Sequence, residues 1–181
     1  MGVNNMTKSI IIFGSARSKG HTYDAVNKVL DKIPNTPVID IVKYQISEFD
    51  YVYRNKDDDF IKIIDKVLEY DRLILATPVY WYTMSATMKR FVDRLSDLTS
   101  IYKNKGRLLR GKDLAIISSY SVHPEGKNGF EQVFINTANY LGMNYFGCYF
   151  HYSGDDESVR ARNDHLAKEF INQLNREPSY I

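Results

Sequence analysis

Short, wholly apolar runs recur along this chain, and each gives way to a polar loop and then to a longer stretch with apolar residues at helical spacing. Runs of four or five residues are too short to be helices, and apolarity on both faces marks strands buried inside a parallel sheet. The pattern predicts an α/β fold of strand–helix units. Five pairs can be counted. Ser9 to Phe13 precedes a helix from Thr22 to about Ile33, closed by Pro34. Val38 to Val42 precedes a helix opened by Asp57, Asp58 or Asp59, with Phe60, Ile61, Ile64, Val67 and Leu68 inward. Leu73 to Ala76 leads to a helix from about Met84 to Leu95, and Leu114 to Ile117 to one burying Phe130, Val133, Phe134, Ala138 and Leu141. Tyr145 to Tyr152 precedes a last helix from about Ser158 that buries Leu166, Phe170, Ile171 and Leu174. Asp40, in the middle of the second strand, suits the edge of the sheet.

With 181 residues, 44% of them hydrophobic and 25% charged, the expectation is one core and one domain over residues 1–181. A net charge of +2, with cations and acids interspersed, argues against nucleic acid as a partner. The single cysteine, Cys148, excludes a disulfide framework or a cysteine-built metal centre within one chain, and the four histidines show no metal-ligand spacing. No metal site is predicted. Neither a leader nor an apolar run of membrane length is visible, so the expected setting is the cytoplasm, away from membranes.

In an open parallel sheet, ligands bind outside the carboxyl ends of the strands, so the loops leaving the first, third and fourth strands carry the functional signal. The first, Gly14 to Thr22, crowds hydroxyls, glycines and two cations at a helix N-terminus. There the free N–H groups and the positive dipole end favour an anion. Five residues separate Gly14 from Gly20 and His21 follows, which breaks the nucleoside triphosphate loop; Ala16 breaks the dinucleotide Gly-x-Gly-x-x-Gly pattern. What remains suits one terminal monophosphate, with Ser15, Ser18 and Thr22 as donors and Arg17 as a charged partner. The plainer alternative is an ordinary turn with Thr22 as its N-cap.

The second loop, Thr77 to Ser85, sets Tyr80, Trp81 and Tyr82 in succession behind Pro78, which suits a flat heterocycle or, equally, a dimer interface. The third, Ser118 to Asn128, is polar and contains His123, which is as readily a surface residue as a base.

These residues resemble the NAD(P)H-dependent FMN reductases of flavodoxin-like fold, which include quinone and azo-dye reductases. The resemblance is carried by Gly14-Ser15-Ala16-Arg17 with Thr22, and by Pro78-Val79-Tyr80-Trp81 followed by Ser85, Met88-Lys89, Phe91 and Asp93-Arg94. It implies a three-layer sandwich around a five-stranded parallel sheet of order 2-1-3-4-5. It also implies FMN as cofactor, NADPH or NADH as reductant, a small-molecule acceptor such as a flavin or quinone, and a homodimer. By position, Ser15, Arg17, Gly20, His21 and Thr22 would hold the phosphate, while Pro78, Val79, Tyr80 and Trp81, with Ser119 and Tyr120, would line the ring. The third loop departs from the family by lacking its usual glycines. Because the hydride chemistry would belong to the flavin, no catalytic side chain is named. Two other functions fit the same scaffold: an electron-carrier flavodoxin, which the positive charge argues against, and a cofactor-free binding domain.

Overall fold

The structure is a computed structural model that describes residues 7–121 and 127–175. Three strands form its centre: β1 (Ser9–Phe13), β3 (Arg72–Tyr80) and β5 (Asp113–Tyr120), all parallel. The edges are β2 (Val38–Asp40), beside β1, and β6 (Asn144–Tyr152), beside β5. Successive side chains leave a strand on opposite faces, so each central strand feeds two cores. Ile10, Ile12, Leu73, Leu75, Leu114 and Ile116 enter one of them. Ile11, Phe13, Ile74, Ala76, Ala115 and Ile117 enter the other.

Two helices cover the second face, α1 (His21–Leu30) and α7 (Glu157–Leu174). They contribute Ala25, Val26 and Val29, and Ala167, Phe170, Ile171 and Leu174. The first face is covered by α2 (Phe60–Leu68), α3 (Ala86–Asp93) and α6 (Lys127–Leu141), through Phe60, Ile63, Ile64 and Val67, Met88 and Phe91, and Phe130, Phe134, Ala138 and Leu141. Two short helices, α4 (Ser96–Thr99) and α5 (Lys103–Arg107), extend this layer. Caps fix where two of the long helices start: Ser85 Oγ accepts from Met88 N–H, and Asp156 Oδ1 from Val159 N–H.

The three-layer sandwich and its strand order agree with expectation, with differences in detail. The sheet has six strands, because a two-residue β4 (Thr83–Met84) turns back along β3, so the order along the main path reads β2-β1-β3-β5-β6. The second strand stops at Asp40, whose carboxylate accepts from Val42 N–H and winds Ile41–Lys43 into a 3₁₀ turn. Val133, expected inside, is 38% exposed, one position round from the Phe130, Phe134, Ala138 stripe. Ile63, not expected inside, is buried.

The long connection between β2 and α2 is pinned by Arg94, which is 1% exposed. Its guanidinium pairs with Asp58 and Asp97, donates to the carbonyls of Ser47 and Asn55, and lies 4.8 Å above the Phe60 ring. Asp58 in turn accepts from Ser47 N–H and Phe60 N–H, so one buried cation organises both ends of the connection. Removing one partner of such a cluster strands buried charge at a cost of ~3–5 kcal/mol. Arg94→Ala is therefore expected to lower the urea midpoint by that equivalent, measured by circular dichroism, whereas Arg54→Ala, at an exposed pair, should leave it nearly unchanged.

Candidate functional site

Where β1, β3 and β5 end, their backbones are tied by buried hydroxyls. Gly14 N–H donates to the carbonyl of Ala76 at 2.8 Å, and Ser85 Oγ donates back to Gly14 O at 2.7 Å. Thr77 Oγ1 accepts from Ser85 N–H at 3.0 Å, and Ser118 Oγ donates to Thr77 O at 2.7 Å. Gly14 is closely packed, since a Cβ would sit 3.0 Å from Met88 Cε and 3.1 Å from Ile41 Cδ1 and would make both side chains shift. The loop leaving β1 is thereby held against β3 and turned outward.

Beyond this seam lies a cavity of about 290 Å³. Its wall includes Ser15, Arg17, Gly20, His21 and Thr22 from the first loop, Pro78, Val79 and Tyr80 from β3, and Ser119 and Tyr120 from β5. Ten of the eleven residues that the resemblance assigned to the cofactor thus share one cavity, but Ser18, expected as a phosphate donor, is exposed and does not line it. The eleventh, Trp81, is 93% exposed and lines a second cavity of about 230 Å³ with Val79, Tyr82, Tyr120, Ser121, Lys127, Phe130 and Phe150. The two cavities share Val79, Tyr120 and Ser121.

The first cavity meets an uncapped helix. Gly20, not Thr22, is the N-cap of α1, and no side chain caps the first turn. The first three N–H groups of a helix have no partner within it, so this end is open to an anion. A Cβ added at Gly20 would project into empty space, and Arg17 is exposed beside it. Thr22, in the same wall, commits its hydroxyl to a 2.7 Å hydrogen bond with Ser119 Oγ, which ties α1 to β5. These groups fit a phosphate in chemistry and in position.

The aromatic stretch is a hairpin rather than a loop. β3 continues through Pro78 to Tyr80, Val79 pairs with Met84 and Tyr80 with Thr83, and Trp81 and Tyr82 form the two-residue turn. Both turn residues have positive φ, 49° and 63°, where such a turn ordinarily takes Asn-Gly. Left-handed backbone at two bulky residues costs on the order of 1–3 kcal/mol each. The Val79–Met84 and Tyr80–Thr83 pairs sustain this strain and leave two exposed aromatic rings at the second cavity.

Several contributing residues were not legible in the sequence. Ser121 and Ser153 complete the first cavity, and Lys127 belongs to the second. His151 is the buried surprise. It lies opposite Ser119 in the β5–β6 ladder, is 5% exposed, and has Nδ1 2.9 Å from Tyr149 Oη. The Tyr149 hydroxyl donates to Asn163 O, while Asn163 donates to Tyr152 O and accepts from Tyr152 N–H. Only the β5–β6 register could have located His151. His123 lies outside the described residues, and among the described residues no cluster of His, Cys, Asp or Glu could hold a metal ion.

A parallel doubly wound sheet with a phosphate-sized cradle at its topological switch point is the architecture of the flavodoxin-like proteins. Within that class the chain belongs to the NADPH-dependent FMN reductase family, whose sequence model matches residues 7–157. It is 36% identical over 99 residues to Bacillus subtilis YwqN, whose name describes an NAD(P)H-dependent FMN-containing oxidoreductase; the match covers 49% of this chain and 52% of YwqN, about half of each. General stress protein 14 of Bacillus subtilis is 29% identical over 118 residues, 58% of this chain and 67% of that protein. Among solved structures, an NAD(P)H:quinone oxidoreductase from Methanothermobacter marburgensis superposes with a TM-score of 0.76 at 14% identity, covering 97% of this chain and 99% of that one. The Trp repressor binding protein from Bacillus subtilis gives 0.73 at 22% identity, covering 94% and 99%. At these identities the structural likeness establishes the fold.

Burial lowers the pKa of His151 from 6.5 to about 4, so the folded protein holds it neutral. The unfolded chain takes up the proton first, so this contribution is intact above pH 6.5 and is lost as pH falls toward 4. The loss is about 3 kcal/mol. Urea unfolding at stepped pH should show that fall, and His151→Gln should flatten it.

Proposed function

We propose that this chain binds one FMN and passes reducing equivalents from NADPH or NADH to a small-molecule acceptor. One observation carries the reading: an uncapped helix N-terminus, a cation and an aromatic hairpin surround one cavity at the carboxyl ends of β1, β3 and β5. In this assignment Ser15, Arg17, Gly20, His21 and Thr22 take the phosphate, by backbone N–H groups of α1 and by the guanidinium. Pro78, Val79 and Tyr80 line one side of the ring system, with Ser119 and Tyr120 on the other, while Trp81, expected beside them, lines the neighbouring cavity. FMN, when bound, supplies the two-electron chemistry.

The protein's share is to bind, orient and exclude water. The rigid β3 backbone, fixed by Pro78 and by the Thr77–Ser85 hydrogen bond, presents a flat wall, and the Trp81–Tyr82 turn overhangs it. No side-chain acid or base is needed. The formal charge of +2 lacks the acidity by which an electron carrier would steer toward a basic partner, which favours the enzyme. A homodimer is part of the proposal, supported by the exposure of Tyr51, Val52, Trp81 and Tyr82, and so is a cytoplasmic setting. Among the described residues no helix is long and apolar enough to cross a membrane.

The purified protein, supplied with FMN, should carry flavin absorption bands that anaerobic NADPH or NADH bleaches and a quinone restores. Arg17→Ala should weaken FMN binding about 10- to 100-fold, as expected for losing a hydrogen bond to a charged group, read by quenching of flavin fluorescence. A colourless protein that leaves FMN fluorescence unchanged would refute the assignment.

A further inference from the structure

The second cavity has a charge that the flavin reading does not use. Lys127, the first residue of α6, reaches over the ends of β5 and β6, with Nζ 5.2 Å from the Tyr120 and Phe150 ring centres and 4.8 Å from that of Tyr152. It donates to the Tyr152 phenol oxygen at 2.6 Å. Arg162 of α7 donates to the same oxygen, its guanidinium carbon 3.6 Å from the ring centre. One phenol therefore gathers two cations, of which Lys127 lines the cavity. Glu131, one turn further along α6, accepts from Tyr145 instead.

An ammonium has three donors, and Tyr152 uses one of those on Lys127. Tyr120 is 7% exposed, lines both cavities, and carries the one buried side-chain polar atom among the described residues that has no hydrogen-bond partner. An unmade hydrogen bond on a buried hydroxyl is costly, and a guest that accepts it recovers that cost. The remaining wall is Val79, Trp81, Tyr82, Ser121, Phe130 and Phe150. This is an aromatic slot with spare donors and positive charge at one end.

We propose that the smaller cavity binds a planar aromatic oxyanion, its ring among the hairpin aromatics and Phe130 and its charged oxygen on Lys127 and Tyr120, and that acidic aromatic compounds are therefore favoured electron acceptors. The inference rests on the reading of the larger cavity as the flavin site, which leaves this one for the acceptor. The phenols agree with it. Burial raises the Tyr120 hydroxyl well above its ordinary pKa, so it keeps its proton and can donate. Burial acts the same way on Tyr152, but the hydrogen bond from Lys127 and the nearby Tyr120 hydroxyl, with the fields of Lys127 and Arg162, outweigh it and lower its pKa. A field that favours one oxyanion there favours a second beside it only while Tyr152 stays protonated, so binding should weaken at high pH.

The probe is 4-nitrophenol, which is coloured only as its anion. Added to FMN-free protein at slightly acid pH, it should ionise on binding, with at least a tenfold shift toward the anion, and FMN at saturation should leave that shift in place. Lys127→Gln should abolish the shift and Lys127→Arg should retain most of it; neutral 4-nitroanisole should bind at least tenfold more weakly. No shift, an equal shift in Lys127→Gln, or displacement of the probe by FMN would overturn the proposal, the last because it would put the flavin ring in this cavity. FMN affinity, followed in parallel by fluorescence quenching, separates the two readings: failure to bind FMN with the probe shift intact would count against the flavin assignment alone.

Discussion

The site depends on the seam of buried hydroxyls that ties three strand ends together. Ser85 caps α3 through Met88 N–H, donates to Gly14 O, and is itself held by Thr77, whose carbonyl accepts from Ser118. In a parallel sheet each strand leaves its last carbonyls and amides at the carboxyl edge, where water would otherwise satisfy them. Here side-chain hydroxyls do so from within, each nearly shut off from solvent. The consequence is positional: the loop from β1, the hairpin from β3 and the end of β5 are fixed relative to one another before any ligand arrives. A preformed cradle avoids the ordering cost that a mobile loop would incur on binding.

Much of this was legible in the residues. The apolar runs at Ser9–Phe13, Leu73–Ala76 and Leu114–Ile117 located the central strands because a doubly covered parallel strand must be apolar throughout. Asp40 placed the second strand at the edge, and the hydroxyls and cation after Gly14 marked an anion site. Less legible was whatever depended on pairing across distance. Trp81 and Tyr82 read as a loop because no local rule favours left-handed backbone at two aromatics; only the Val79–Met84 and Tyr80–Thr83 pairs impose it. Thr22 read as a phosphate donor, or more plainly as a cap, because its type suits either, yet Ser119, 97 residues away, claims its hydroxyl. His151 and Lys127 gain their meaning from partners on other elements, and a sequence does not display those.

The two halves of the site are built by different physics. The end proposed for the phosphate offers backbone amides and one exposed cation, so it is specified by a short contiguous stretch that carries part of the family's sequence pattern. The aromatic end relies on strain in the hairpin and on the phenols of β5 and β6, which are assembled from remote segments. In the proposed reading the family pattern lies in two contiguous stretches, Gly14–Thr22 and Pro78–Arg94, and so can be read in sequence, whereas an acceptor pocket would depend on the packing of Tyr120, Lys127, Phe130 and Tyr152. Fold alone would leave the function open, since the same scaffold serves unrelated tasks.

The central claim is that the open end of α1 grips a terminal phosphate. Calorimetric comparison of FMN with riboflavin, which differ only in that group, isolates it. The account predicts that FMN binds about a hundredfold or more tightly than riboflavin, the worth of one or two hydrogen bonds to a charged group. Equal affinity for the two would contradict it.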